Sequence, residues 1–263
     1  MRAVENPFKR ALAEDRPQIG LWSSLCSPVG AEIVASSGFD WIMFDTEHSP
    51  IEISGLPSLL RATEGGTAHA VVRPAWNDPV AIKRILDIGA QTLLVPFVQN
   101  AEEAKAAVAA TRYPPLGVRG VAGLTRATRY GRIKDYAARA AENLCVLVQV
   151  ETVEALGRLE DIAAVDGVDG VFIGPSDLSA SMGHLGNAGH ADVQKELSTA
   201  VQRIRQAGRP AGILASKRED ALCYLGWGYR FVAAGVDVGM LATAADDLAR
   251  TMREAARPAA TAE

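Results

Sequence analysis

Eight short apolar runs punctuate the chain, at 19–23, 41–44, 70–73, 92–98, 145–150, 170–173, 211–214 and 231–234. They are rich in Val, Ile and Leu and apolar on both faces, which is how strands buried on both sides of a parallel sheet read. Segments with helical spacing lie between them. The stretch 79–89 carries Ile82, Ile85, Leu86 and Ile88 at core-facing intervals, and 101–111 is alanine-rich. Thr152 opens 152–163 as a cap with Glu154 in the first turn, and 196–206 continues the alternation. Eight strand-then-helix units predict an α/β fold of the (β/α)8 TIM-barrel type. An open doubly wound sheet is the alternative, although no G-x-G-x-x-G follows the first strand. The expected organisation is one barrel domain over 1–255, with a frayed tail over 256–263.

One segment interrupts the rhythm. Residues 112–143 are too many for a simple connection, and they hold Tyr113-Pro114-Pro115 together with Arg112, Arg119, Arg126, Arg129 and Arg132. A solvated excursion packed on a second subunit is one reading. A lid, or a wall of a neighbour's site with an Arg for a substrate carboxylate, is the other.

Composition narrows the classes. The 263 residues are 48% hydrophobic and 22% charged, with a formal net charge of −4 and no concentrated basic run. Nucleic acid and anionic membranes are therefore poor partners. Cys26, Cys145 and Cys223 are odd in number and widely spaced, against a disulfide framework or a cysteine-rich zinc site. The first residues lack a signal-peptide pattern and no run approaches a membrane span, so a cytoplasmic enzyme is expected.

In such barrels the chemistry gathers at the C-terminal strand ends. Those ends offer Trp22, then Asp45, Glu47 and His48, then Arg73, then Gln149 and Glu151, then Ser176 and Asp177, and finally Leu214 and Ala215. A histidine among carboxylates suits a general base near neutral pH. Glu151 and Asp177, from adjacent strands, suit a hard divalent cation, unless Asp177 merely caps a helix and Glu151 pairs with an Arg. Arg73 suits a carboxylate or a developing oxyanion, or else a rim ion pair. Asp87, an acid on an apolar helix, needs a partner such as a histidine. Lys217 keeps a Schiff-base route open. Gly235-Val236-Asp237-Val238-Gly239 is a weak phosphate-loop candidate, and His69, His184 and His190 receive no role.

Several motifs occur in order: Phe44-Asp45-Thr46-Glu47-His48-Ser49-Pro50, Val72-Arg73-Pro74, Ile85-Leu86-Asp87-Ile88-Gly89-Ala90-Gln91, and Val95-Pro96-Phe97-Val98-Gln99. Tyr113-Pro114-Pro115, Gln149-Val150-Glu151-Thr152 and Phe172-Ile173-Gly174-Pro175-Ser176-Asp177-Leu178 follow. With these the chain resembles the HpcH/HpaI family of class II pyruvate aldolases, within the phosphoenolpyruvate/pyruvate barrel superfamily. The resemblance implies reversible cleavage of 4-hydroxy-2-oxo acids to pyruvate, or hydroxypyruvate, and an aldehyde through an enolate. It implies a divalent cation (Mg2+, Mn2+ or Co2+) held by Glu151 and Asp177, and no organic cofactor. His48 would be the base, Asp87 would raise its basicity, and Arg73 would stabilise the enolate. Trp22, Arg73, Gln149, Gly174, Ser176, Asp177 and Leu214 would bind substrate, with Asp45 and Glu47 in support. It further implies an eighth helix exchanged between subunits and a homo-hexamer built as a trimer of dimers. Ser176, Phe97 and the stretch Leu124-Thr125-Arg126 depart from the family pattern on the aldehyde side. A citramalyl- or malyl-type acyl-CoA lyase and a non-catalytic keto-acid-binding barrel are the alternatives.

Overall fold

The computed structural model describes residues 5–257. The expected tail from residue 258 onward, and residues 1–4 of the expected domain span, lie outside the described residues. In chain order the first elements are α1 (Pro7–Ala13), β1 (Gln18–Ser23), α2 (Pro28–Ala35), β2 (Trp41–Asp45), α3 (Leu56–Ala62) and β3 (His69–Arg73). Next come α4 (Pro79–Asp87), β4 (Thr92–Val95), α5 (Ala101–Thr111), α6 (Tyr136–Asn143), β5 (Cys145–Val150), α7 (Val153–Leu156) and α8 (Leu159–Ala163). The rest are β6 (Gly170–Ile173), α9 (Pro175–Ser181), α10 (Ala191–Gln206), β7 (Ala211–Leu214), α11 (Arg218–Trp227), β8 (Phe231–Val236) and α12 (Asp237–Ala255).

All eight strands pair in parallel and in chain order, and β8 returns to β1, closing the barrel. Because successive residues point to opposite faces, each strand feeds two cores. Ile42 and Phe44 of β2, and Val148 and Val150 of β5, join the layer beneath the helices. Trp22, Trp41, Met43, Val71, Leu94, Leu147, Phe172 and Phe231 fill the barrel interior. Gly20 makes room there: a Cβ on it would lie 2.2 Å from the Trp41 ring. Phe8 of α1 packs on Trp41 and Phe231 and stoppers the N-terminal end.

The expected strands and the observed ones coincide in number and order. β4 ends at Val95 instead of running to residue 98, because Pro96 cannot donate to a ladder and Phe97 turns to a φ of 55°. The helix expected at 152–163 is two short helices broken at Gly157 and Arg158, opened by the Thr152 cap as anticipated. α10 begins at Ala191, ahead of the expected residue 196, capped by the His190 side chain.

α12 stands apart. Of its 19 residues only Asp237 is buried, while Val238, Met240, Leu241, Leu248 and Met252 are exposed. The excursion at 112–143 ends in α6 and leaves Leu116, Val118, Val121 and Leu124 exposed. Among the described residues no helix is long and apolar enough to cross a membrane.

Candidate active site

The interior-facing series on the strands changes from apolar to polar at the C-terminal mouth. On β2, Trp41 and Met43 are followed at the same parity by Asp45; on β3, Val71 is followed by Arg73; on β5, Leu147 is followed by Gln149 and then Glu151. Asp45, Arg73, Gln149 and Glu151 are all buried.

Asp45 and Arg73 form a two-pronged pair, with Nε and Nη2 of the guanidinium donating to the two carboxylate oxygens at 2.9 and 2.7 Å. Asp45 also accepts from Trp22 Nε1 at 3.2 Å and from the backbone N–H groups of Glu47 and His48. Burial raises its pKa, but the hydrogen bonds and charge of Arg73 outweigh burial and hold it below the usual carboxylate value. The guanidinium lies over the Trp22 ring, 4.6 Å from its centroid. Its third nitrogen, Nη1, is 2.9 Å from Glu47 Oε2, an ion pair without hydrogen-bond alignment that leaves this oxygen free of a hydrogen-bond partner. Glu47 is raised by burial, against the opposing pull of Arg73. His48 carries the most exposed side chain of the group, at 67%, with Nε2 3.9 Å from Glu47 Oε1.

Across the mouth, Glu151 Oε1 accepts from Phe97 N at 2.9 Å and Oε2 accepts from Gln149 Nε2 at 2.5 Å. Burial, with the negative charges of Asp177 and Glu47, pushes Glu151 up to about 7. Gln149 Oε1 is buried without a hydrogen-bond partner. Gly174 directly follows β6 beside these groups: a Cβ there would come within 2.6 Å of Glu151 Oε2 and 3.0 Å of Gln149 Nε2. Ser176 and Asp177 follow, exposed in the first turn of α9. Leu214 is half-buried at the end of β7 and packs against the interior cluster.

This arrangement fits a hard cation. The charges of Glu151, Asp177 and Glu47 lie close enough to oppose one another, the Gln149 amide that donates to Glu151 keeps a buried oxygen without a partner, and the missing Cβ of Gly174 leaves room at Glu151 Oε2. Among the described residues, His184, His190 and Asp192 form the one grouping of three potential ligand side chains within reach of a single ion. Their imidazoles stack 3.6 Å apart at 15°, and His190 Nδ1 already accepts from the backbone N–H of Asp192 as a helix cap.

Other expected residues fall elsewhere. Asp87 is not beside His48 within the chain. It ends α4, which runs back from the mouth for nine residues, about 14 Å of helix, and its carboxylate pairs with Arg119 Nη2 at 2.9 Å. Arg119 is fully buried between Tyr113 and Tyr136, which its place in a polar excursion did not signal. Lys217 is exposed at the start of α11, outside the buried polar group. The glycine-rich stretch after β8 is closed to phosphate by its own acid: Asp237 accepts from Ser23 Oγ and from the N–H groups of Ser24, Leu25 and Val238. His69 holds Thr92 Oγ1 at 2.8 Å, and burial lowers it to about 4, a structural role.

Comparison with known proteins bears on the family and the fold. Residues 18–244 match the family profile described as HpcH/HpaI aldolase/citrate lyase. A protein of Klebsiella pneumoniae named 4-hydroxy-2-oxo-heptane-1,7-dioate aldolase is 55% identical over 94% of this chain and 93% of its own length. A protein of Rhizobium etli named pyruvate aldolase is 56% identical over 95% of this chain and 98% of its own. Among solved structures, an HpcH/HpaI aldolase/citrate lyase family protein from Burkholderia cenocepacia superposes with a TM-score of 0.91 at 39% identity. That match covers 94% of this chain and 99% of the other.

Proposed function

This chain belongs to the HpcH/HpaI aldolase/citrate lyase family, and from that premise we propose a divalent-metal-dependent aldolase that reversibly cleaves 4-hydroxy-2-oxo acids to pyruvate and an aldehyde. The observation that carries the reading is the group formed by Glu151, Asp177 and the Gln149 amide beside Gly174, whose oxygen has no partner of its own. Glu151 and Asp177 would hold the ion, taken as Mg2+, Mn2+ or Co2+. A divalent cation there supplies Lewis acidity to a keto oxygen.

The chain's own groups do the rest. Gln149 offers an amide to the keto acid, with Gly174 and Ser176 beside it and Trp22 and Leu214 lining the apolar side. Arg73 keeps N–H groups beyond the two given to Asp45, and these face negative charge as it develops on the enolate oxygen. In cleavage the 4-hydroxyl gives up its proton, the C3–C4 bond breaks to release the aldehyde, and the three-carbon enolate is protonated at its methylene carbon. His48, the exposed base beside Glu47, carries that proton. Asp87 lies a helix length from the mouth, so it assists an imidazole only from a neighbouring subunit.

The uncovered apolar surface supports a reading of the assembly. α12 exposes Met240, Leu241, Leu248 and Met252 along a helix that buries almost nothing of its own chain. That supports exchange of this helix between subunits within a hexamer. For the activity, the test is cleavage of a 4-hydroxy-2-oxo acid panel. Turnover ceases on thorough chelation and returns with Mg2+, Mn2+ or Co2+. Activity that survives chelation, with borohydride trapping pyruvate on Lys217, overturns the reading.

A further inference from the structure

Two aromatic rings lie exposed at the mouth, and the mechanism above leaves both unused. Trp76 follows β3 and Phe97 follows β4; their rings stack at 30° with centroids 5.5 Å apart, and 54% and 38% of the two residues face solvent. Phe97 adopts a φ of 55°, a left-handed conformation that costs a bulky residue energy and persists only where its surroundings enforce it.

The surroundings do enforce it. Phe97 N–H donates to Glu151 Oε1 at 2.9 Å and Val98 N–H to Gln149 O at 3.0 Å. Thr152 Oγ1 donates to Gln99 Oε1 at 2.7 Å, tying the same loop to the end of β5. On the other side, Asn77 Nδ2 donates to Glu103 O at 3.0 Å, and the Glu103 carboxylate accepts from Gln99 N–H at 2.9 Å. The loops after β3 and β4 are thus tied together, and one residue supplies both a backbone donor to Glu151 and a ring to the stack. A rigid apolar platform is thus built on the loop whose backbone donates to Glu151, the carboxylate assigned to the cation.

We propose that the Trp76–Phe97 stack is the acceptor wall of the site, selecting aldehydes whose substituent is a flat aromatic or apolar group. This rests on the aldolase reading and deepens it. The pyruvate half is served by Gln149, Glu151 and Arg73, so the stack is left for the aldehyde. The two rings offer π-faces and apolar area and no charge, which favours a ring over a second carboxylate.

The test compares kcat/KM for benzaldehyde and for glycolaldehyde in the aldol direction, with pyruvate as donor, in the metal-loaded enzyme. The wild type favours benzaldehyde. Trp76→Ala and Phe97→Leu each lower the benzaldehyde-to-glycolaldehyde ratio, Trp76→Ala by about tenfold, the worth of one good aromatic contact. A wild type without preference for benzaldehyde, or a ratio unmoved by both variants, overturns the proposal. So does a fall to smaller species in sedimentation at an unchanged ratio, which makes the stack a subunit contact. Deuterium exchange at the pyruvate methyl without aldehyde separates the two levels. Exchange in the wild type with an unmoved ratio sinks the wall alone; no exchange sinks the aldolase reading and the wall together.

Discussion

Asp45 and Arg73 are register partners at the ends of β2 and β3, and the same two residues close a buried two-pronged ion pair at 2.7 and 2.9 Å. The parallel ladder itself sets the two Cα atoms side by side, so the pair is assembled by barrel closure. Arg73 is thereby aimed along the mouth with one nitrogen at Glu47 and its face on Trp22.

Breaking that pair costs fold and chemistry together. Arg73→Ala leaves Asp45 buried without its counter-charge, and urea unfolding should show a loss of about 3–5 kcal/mol. Arg73→Lys keeps a charge but loses the two-pronged geometry. It should retain more stability than Arg73→Ala while kcat falls on the order of 10²-fold. A lysine variant with wild-type kcat would remove Arg73 from the enolate.

Glu151 makes metal binding depend on pH. Its pKa of about 7 lies above the ordinary 4.5, so the metal-free folded chain binds more protons than the unfolded one between these values. Without metal the protein carries a stability penalty above about pH 7, which fades as pH falls through 7 towards 4.5. Glu151→Gln should therefore raise the melting temperature of the metal-free protein at pH 8 and change it little at pH 4. Wild-type metal affinity, measured by calorimetry, should drop as pH falls below 7, and the variant should bind no metal at either pH.

Gly174→Ala tests the space beside the carboxylate. The backbone there has a φ of −85°, which alanine tolerates, so only the added carbon matters, 2.6 Å from Glu151 Oε2. Metal affinity should fall by at least about tenfold, with a change in stability of about 1 kcal/mol. A fall in thermal stability without loss of metal affinity would place the clash away from the ion.

His48 is expected to move protons and nothing else. His48→Ala should slow deuterium exchange at the pyruvate methyl by about 10²–10⁴-fold. Metal binding should survive, since the imidazole is largely exposed and lies 3.9 Å from Glu47 Oε1. Equal loss of exchange and metal binding would make its role structural.

α12 should control assembly. Leu241→Lys with Leu248→Lys places two charges on its exposed apolar positions. Sedimentation should then show smaller species than the wild type, with far-UV circular dichroism unchanged. An unaltered assembly would show that this face does not meet a partner.

Much of this was written in the order of residues. The strands were legible because a parallel strand buried on both faces has no polar position to blur its ends. The mouth residues were legible because the period of two carries the interior parity one step past the core, from Met43 to Asp45 and from Val71 to Arg73. Gln149 and Glu151 follow the same count, and family motifs gave the remaining expectations.

What the order of residues did not contain was decided by contacts between distant segments. Asp87 reads as a partner for a histidine, yet α4 carries it away from the mouth to Arg119, 32 residues on. Arg119 reads as a surface arginine, yet two tyrosines and that acid bury it. Phe97 reads as the end of β4, yet Glu151, 54 residues later, draws its N–H and fixes a backbone that no local preference favours. Local periodicity fixes which face a side chain takes, because it depends on the chain's own geometry. Which charge meets which, and where strain is tolerated, depends on barrel closure, and only the folded chain could decide that.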